Sequence, residues 1–389
     1  MVSAGVAGHT LWASAAPALT YRLYAQEWHL TPTATTGIFA VFPIAVVATL
    51  VGFGGISDQI GRRAAMLLGL GASLVGALLF AAAPDVWWVF AGRAITGIGV
   101  GLAAGPSTAA LLEFNGHQDT KRAASLTMTA QAAGFTAALI VGGALSEYGP
   151  WPTRLCFWVF AVLLLVLFAA TWFLPRHTVI GGNGGWRPKM PFVPRDRRRA
   201  FATASTAIMT AYSFGVLVLS LGGQVEHDLI GSSNALLNGA VLALFPMALG
   251  PVGIVAKVLS SRIALIAGSV TSVSGMGLLA LAVDRHDLFI YLAATAAAGA
   301  GYSLLFVGGL QLINAAGSSH HRGAMLSALY LAGYLSMAAF ALILGVVATA
   351  WGLGLAVDLG AAAITIISIA TLGLTIVTHE DSSKNEGAR

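Results

Sequence analysis

The sequence predicts an all-α polytopic membrane protein of twelve transmembrane helices in two pseudo-symmetric bundles of six, and three observations carry that prediction. Charged residues make up 9% of the 389-residue chain, against roughly 25% in a soluble protein, while 57% are hydrophobic and the mean hydropathy is +0.82. So little charge cannot cover a soluble globule of this size. Apolar runs near or above the ~20 residues that cross about 30 Å of hydrocarbon recur along the whole length. The third observation is an internal repeat. Gly99, Gly101, Arg122, Leu126 and Trp151 are matched 200 positions later by Gly299, Gly301, Arg322, Leu326 and Trp351, and Gly54, Asp58 and Arg63 align with Gly253, Lys257 and Arg262 at an offset of 199. Such a repeat points to parallel halves related by an axis along the membrane normal.

The runs cover about residues 1–21, 33–56, 64–83, 86–112, 123–146 and 154–174 in the first half, and 201–223, 235–256, 263–282, 288–312, 323–349 and 354–377 in the second. Each is read as a helix, because lipid admits only helices or closed barrels and these runs are far too long for barrel strands. Pro43, Pro106, Pro246 and Pro251 fall inside runs and supply kinks. The longest polar interval, Pro175 to Arg199, is rich in Gly, Pro and Arg and divides the chain into a bundle at 1–174, a basic linker at 175–200, a second bundle at 201–378 and a tail at 379–389. A flexible basic linker is drawn to anionic headgroups, whose bilayer is the expected lipid partner.

Basic residues set the expected orientation. With the N-terminus inside, inner loops and tail hold sixteen Lys and Arg, from Arg62 and Arg63 to Lys384 and Arg389, against Arg22, Arg154 and Arg285 outside. The positive-inside rule then places both termini in the cytoplasm and the chain in the cell membrane. The pI near 9.6 reports this topology, and nucleic acid is not an expected partner. The first helix begins at Met1 with no basic flank, which places the expected start upstream.

Chemistry-bearing residues are few. The strongly charged turn Gly54-Gly55-Ile56-Ser57-Asp58-Gln59-Ile60-Gly61-Arg62-Arg63 lies between the second and third runs. Arg93 lies several residues inside the boundary marked by Asp85, Trp87 and Trp88, where a charge must face protein or water unless it snorkels to the surface. His9, Gln131, Tyr212, Tyr302, Gln311, Tyr330 and Tyr334 are polar groups placed to line a central cavity; Tyr330 and Tyr334, four apart, share one helix face and form an aromatic wall or a packing contact. Acidic residues read as confined to the outer boundary: Glu27, Glu147, the cluster Glu226-His227-Asp228, Asp284 and Asp358. The cluster reads as a solvated loop or a collector of protons.

Absences bound the function further. One cysteine, Cys156, excludes an internal disulfide, and His320-His321 alone do not make a metal site, so no metal or cofactor is expected. No phosphate-binding Gly-x-x-x-x-Gly-Lys-Ser/Thr loop occurs, and no paired acid/base constellation suggests an enzyme.

The turn after the second run resembles the loop signature of the major facilitator superfamily, Gly-x-x-x-Asp-x-x-Gly-Arg-Arg, as Gly54, Asp58, Gly61, Arg62 and Arg63, with Gln59 where a basic residue is usual. Arg93 followed by Gly97, Gly99 and Gly101 is similar to the family's second signature. The resemblance spans nearly the whole chain and implies alternating access between two rocking bundles around a central site. It also implies that Asp58 caps the eleventh helix near Gly323, that Arg62 or Arg63 pairs with Glu113 in a charge lock, and that Arg93 serves proton coupling or structures the cavity. The alternative for Asp58 and Glu113 is that they only set topology. Proton-coupled exporters of the family carry Gly-Pro-x-x-Gly-Gly on helix five; here Gly142 and Gly143 remain and the proline is absent, leaving close helix packing as the bland reading. Many cation exporters of the family need a buried carboxylate, so its absence points to a neutral or anionic substrate. The segment Ala15 to Tyr24 is similar to the helix-one end of broadly distributed bacterial members and says nothing of chemistry.

The expected function is secondary transport of a small organic molecule by a monomer, with protons as the coupling ion and export as the direction. Proton-linked or facilitated uptake of a nutrient is a second reading, and a non-transporting membrane sensor or assembly partner is a third. A sensor would more typically add a soluble output domain.

Overall fold

The computed structural model describes the chain apart from Gly54, Gly55, residues 114–119, 176–192, Ile230, Ser232, 317–321 and 387–389. Among the described residues fifteen α-helices follow one another: α1 Val2–Ala15, α2 Thr20–Glu27, α3 Pro32–Phe53, α4 Ser57–Ile60, α5 Arg62–Ala81, α6 Val86–Glu113, α7 Thr120–Tyr148, α8 Leu155–Trp172, α9 Arg198–Val216, α10 Gly222–Gln224, α11 Ala235–Ala256, α12 Ser261–Arg285, α13 Leu288–Ala316, α14 Arg322–Trp351 and α15 Leu353–Glu386. No strand occurs among the described residues. Within the same residues, eleven spans are long and apolar enough to cross a membrane, as the composition requires of a multi-pass chain.

Two expectations need correction. The first run is two helices, because Pro17 has no N–H with which to continue α1. The N–H of Ala18 turns back to Ala15 O, and Thr20 and Tyr21 both donate to Pro17 O as α2 begins. At 14 residues α1 rises about 21 Å, short of the hydrocarbon thickness by itself. The seventh run does not end at 223. From α9 the chain passes through a π-helical turn at Leu217–Leu221, the short α10, and a second π turn at Val225–Leu229, giving a span from Arg198 to Asp228.

Local chemistry sets the helix starts. Asp85 Oδ1 accepts from the N–H groups of Trp87 and Trp88 at the head of α6, and Asp287 Oδ1 does the same for Phe289 and Ile290 at the head of α13. Ser260 Oγ caps α12 through Ile263 N. Pro43, Pro106, Pro246 and Pro251 all lie inside helices.

The chain divides into two compact units: Met1–Lys189 with Ser232–Ala243, and Met190–Gly231 with Leu244–Arg389. Within the first, α1 packs on α7, α5 on α6 and α8, and α3 on α6. Within the second, α9 packs on α14, α12 on α13 and α15, and α13 on α9. The pairings α1–α7, α5–α6 and α5–α8 thus recur as α9–α14, α12–α13 and α12–α15, an internal echo of the sequence repeat. Phe80 and Phe157 stack at 4.4 Å in the first core; Ala207 and Ala211 of α9 leave room for Leu265 and Leu305 in the second. Outward faces are apolar, as on α8 at Val162, Leu165 and Val166, which suits contact with lipid chains.

Close helix approach follows from small residues. A Cβ on Gly97 would lie 2.7 Å from Phe42 O, one on Gly99 2.6 Å from Gly69 O, and one on Gly101 2.7 Å from Thr49 Cβ. One on Gly143 would lie 2.6 Å from Ala235 O, at the start of α11. Gly142 departs from the expected packing role: a Cβ there would meet nothing within 4 Å, because it sits off the α7 stripe that Gly143 presents to α11.

Candidate functional site

In the first unit the polar residues converge on α1. Arg93 of α6 is 0% exposed, and its Nη1 and Nη2 donate to Ala13 O at 2.9 Å and Ser14 O at 3.1 Å. These are the two carbonyls that the break releases: Ala13 O loses a donor because Pro17 has no N–H, and Ser14 O because Ala18 N–H goes to Ala15 O. The guanidinium fork therefore closes the end of α1 as a C-cap from another helix. Its Cζ lies 4.2 Å from the Phe42 ring centroid and 5.8 Å from that of Phe39, so a cation fully inside the protein is held by carbonyl dipoles and aromatic faces. Arg93 does not snorkel. The proline in the first apolar run was the available sequence signal for its partners.

His9 is likewise interior. Its Nδ1 meets Val6 O within its own helix and its Nε2 lies 3.3 Å from Ser73 Oγ of α5. Gln131 Nε2 reaches Thr10 Oγ1 at 3.4 Å, joining α7 to α1 where Gly8 and Gly134 allow the two backbones to approach. These three side chains therefore tie α1 to its neighbours.

At the charged turn, Gly61 takes φ 89°, a conformation open to glycine, and so sets the corner between α4 and α5. Arg62 Nη1 donates to Ser57 Oγ at 2.6 Å, and the Arg63 guanidinium lies 5.5 Å from the centroid of Trp172 at the end of α8. Gly54 and the side chains of Asp58 and Glu113 lie outside the described residues, as do His320 and His321.

In the second unit the aromatic residues do come together. Tyr212 of α9 is 5.0 Å from Tyr334, 6.2 Å from Tyr302 and 6.1 Å from Phe306, centroid to centroid. Phe306 stacks with Tyr302 at 5.8 Å and faces Tyr330 at 6.5 Å, and Phe245 of α11 sits edge-on to Tyr302 at 5.6 Å. Gly333 makes room for this on α14, where a Cβ would crowd Tyr212 at 3.0 Å. Tyr212 is buried and Tyr302, Tyr330 and Tyr334 are half-buried. Four phenols and two phenyl rings from four helices can stack on a planar molecule, hold a cation over a ring face, or donate hydrogen bonds to a polar edge. Phe245 and Phe306 were not singled out from sequence, although Phe306 lies one turn after Tyr302. Gln311 stands apart: its Nε2 donates to Ala256 O and Lys257 O, both at 3.3 Å, fastening α13 to the end of α11.

The reading of Glu226 as part of a solvated boundary loop is overturned. The residue is 0% exposed and lies in the second π turn, within the span Arg198–Asp228. His227 is half-buried and Asp228 exposed, and the two pair with each other at 2.6 Å. The hydropathy run broke at Gln224 and Glu226 themselves, so periodicity held no signal for their burial. With a carboxyl group buried after all, a neutral or anionic substrate no longer follows. Among the described residues no group of three or more His, Cys, Asp and Glu is placed to hold a metal.

A family model described as Major Facilitator Superfamily matches residues 1–338. The curated relatives include the multidrug resistance protein MdtH of Yersinia pestis (strain Pestoides F), 27% identical over 184 residues, which is 47% of this chain and 45% of that protein. The same protein from Yersinia pseudotuberculosis serotype O:3 (strain YPIII) gives the same figures, so the chain matches under half the length of these relatives. Among solved structures, a mutant of the nucleoside transporter NupG superposes with a TM-score of 0.78 at 12% identity, covering 96% of this chain and 98% of that one. A POT family transporter in complex with 5-aminolevulinic acid superposes with a TM-score of 0.77 at 13% identity, covering 96% and 94%. At such identities the two structures speak for the fold.

Proposed function

The chain belongs to the major facilitator superfamily, and from that premise we propose that it is a secondary transporter that exports a small organic molecule in exchange for protons. The observation that carries transport is the family match over residues 1–338. Export rests on the relationship to a multidrug resistance protein. The tyrosine cluster of α9, α13 and α14 is the proposed substrate contact, since its half-buried rings offer stacking area together with hydroxyls. On this reading the bundles are residues 1–174 and 201–378, joined by the basic linker 175–200. The protein acts as a monomer in the cell membrane, with both ends and the tail 379–389 in the cytoplasm. Asp58, Gly61, Arg62, Arg63 and Glu113 form the inner gate.

The test is compound-triggered proton movement in vesicles holding the purified protein and a pH-sensitive dye, across a panel of planar aromatic compounds and metabolites. Substrate leaving the side to which protons enter supports export. Co-directional movement overturns the direction, and silence across the panel with folded protein overturns proton-coupled transport of this substrate class. With the substrate in hand, Tyr302→Ala is expected to raise KM about two- to tenfold while leaving kcat within about twofold, since a lost stacking contact is worth about 0.5–1.5 kcal/mol. An unchanged KM in Tyr302→Ala and Tyr330→Ala would remove the cluster from the site. Asp58→Asn is expected to abolish transport with protein yield preserved; full activity would leave that residue with topology alone.

A further inference from the structure

Glu226 is a buried ionisable group that no proposed substrate contact or gate uses. Both carboxyl oxygens are enclosed and neither has a hydrogen-bond partner among the described residues. Among the described residues, no basic group on the surrounding elements is placed to neutralise it, and His286 at the end of α12 is exposed. Tyr291 of α13 is near enough to interact with it electrostatically, but a phenol brings no positive charge. Asp287 is engaged by the N–H groups of Phe289 and Ile290, Asp284 and Arg285 are exposed at the end of α12, and Asp358 of α15 is exposed. On its own turn, His227 is committed to Asp228. An ionised carboxylate in such a place lacks both water and a counter-charge, which is strongly unfavourable, and a bound proton removes that penalty.

The surroundings add two further observations. The helix carrying Glu226 is irregular where it matters, with π turns at Leu217–Leu221 and Val225–Leu229 on either side of Gly222-Gly223-Gln224. Wide turns of this kind leave the backbone ladder poorly registered and gather at functional sites, and the two glycines lower the cost of reshaping the segment. Beside it lies a cavity of about 30 Å³, bounded by Val225, Tyr291 and Thr295 and by apolar side chains such as Leu217 and Met276. A buried acid, a deformable helix and a small, mostly apolar cavity lined by the neighbouring Val225 thus occur together in the second unit.

We propose that Glu226 is a proton-binding site: its carboxyl carries a proton in the conformation seen here and gives it to water when the segment around Gly222 and Gly223 opens, leaving the carboxylate solvated. The proposal deepens the proton-coupled reading above, and its test is read on the carboxyl itself so that the two stand or fall separately. Infrared difference spectra of the full chain in lipid nanodiscs, taken between acidic and alkaline buffer, are expected to show a carboxylic-acid carbonyl band that disappears on the alkaline side. Glu226→Gln, nearly isosteric, is expected to lose that band while keeping its elution as a folded species. A wild-type measurement guards against failure of the variant to fold: dicyclohexylcarbodiimide, which attacks protonated carboxyls in apolar places, is expected to label Glu226 and to do so less as pH rises, as read by mass spectrometry.

An undiminished band in Glu226→Gln overturns the proposal, as does labelling of Glu226 that is absent or independent of pH. A band that responds to sodium at constant pH overturns it in favour of a metal-cation site. Titration of Glu226 with no compound-driven proton flux in vesicles would sink the export reading alone. Flux with no titration at Glu226 would sink this inference alone.

Discussion

Arg93→Ala is expected to reach the membrane and to be destabilised by about 3 kcal/mol, because it removes two hydrogen bonds from a charged donor, each worth about 1.5–3 kcal/mol, and orphans two buried carbonyls. The carbonyls are those of Ala13 and Ser14, left open by Pro17. Pro17 and Arg93, 76 positions apart in sequence, therefore act as one device: a helix break and its distant cap. Pro17→Ala restores an N–H that α1 can use, so the double variant is expected to be more stable than the two single losses added together, with a coupling of about 1 kcal/mol or more. Thermal unfolding of the detergent-solubilised proteins, followed by loss of monodisperse protein, supplies the four corners of the cycle. Strict additivity would show that the guanidinium does not serve the break. Arg93→Lys is expected to recover less than half of the lost stability, since an ammonium does not span two carbonyls as the fork does.

Gly99→Val is expected to abolish most of the folded yield. The α5–α6 contact is built backbone to backbone, and a Cβ at Gly99 would stand 2.6 Å from Gly69 O and 2.6 Å from Ser73 N. Those atoms belong to main chain and cannot swing aside, so about 3 kcal/mol or more of overpacking falls on the pair. Gly142→Ala gives the opposite sign: nothing lies within 4 Å, and replacing a helical glycine gains about 0.5–1 kcal/mol. The two variants measured side by side, by fluorescence of a C-terminal fusion through size-exclusion chromatography, distinguish a packing contact from a mere abundance of glycine. Equal yields would mean that α5 and α6 can separate without penalty.

The contrast between the two glycines shows where sequence ends. Both belong to recognisable glycine-rich helices, and both were expected at packing surfaces. Which glycine touches a neighbour depends on how its helix is rotated, and rotation is set by the neighbours. The tyrosines divide similarly. Tyr330 and Tyr334 share a face by helical periodicity alone, whereas their meeting with Tyr212 and Phe306 needs α9 and α13 brought beside α14. His9, Gln131 and Gln311 have the chemistry of cavity residues, yet their partners Ser73, Thr10 and the end of α11 hold them as ties between helices. A polar side chain in an apolar run states only that it needs a partner, and the partner comes from elsewhere in the chain.

By itself the sequence determined the class of the protein: an α-helical membrane chain with a repeat and the marks of its superfamily. The solvent imposes these, since hydrocarbon demands long apolar helices and confines charge to a few loops whatever the helices then pack against. Most helix limits followed within a few residues from the same rule. Only the tertiary structure decided the fate of the exceptions. Pro17 divides the first run and Arg93 closes the division, while Glu226, whose charge marked the end of an apolar run, lies buried in a π turn. Hydropathy is a sum over neighbours in sequence, and the free energy of a buried charge or an unpaired carbonyl depends on neighbours in space.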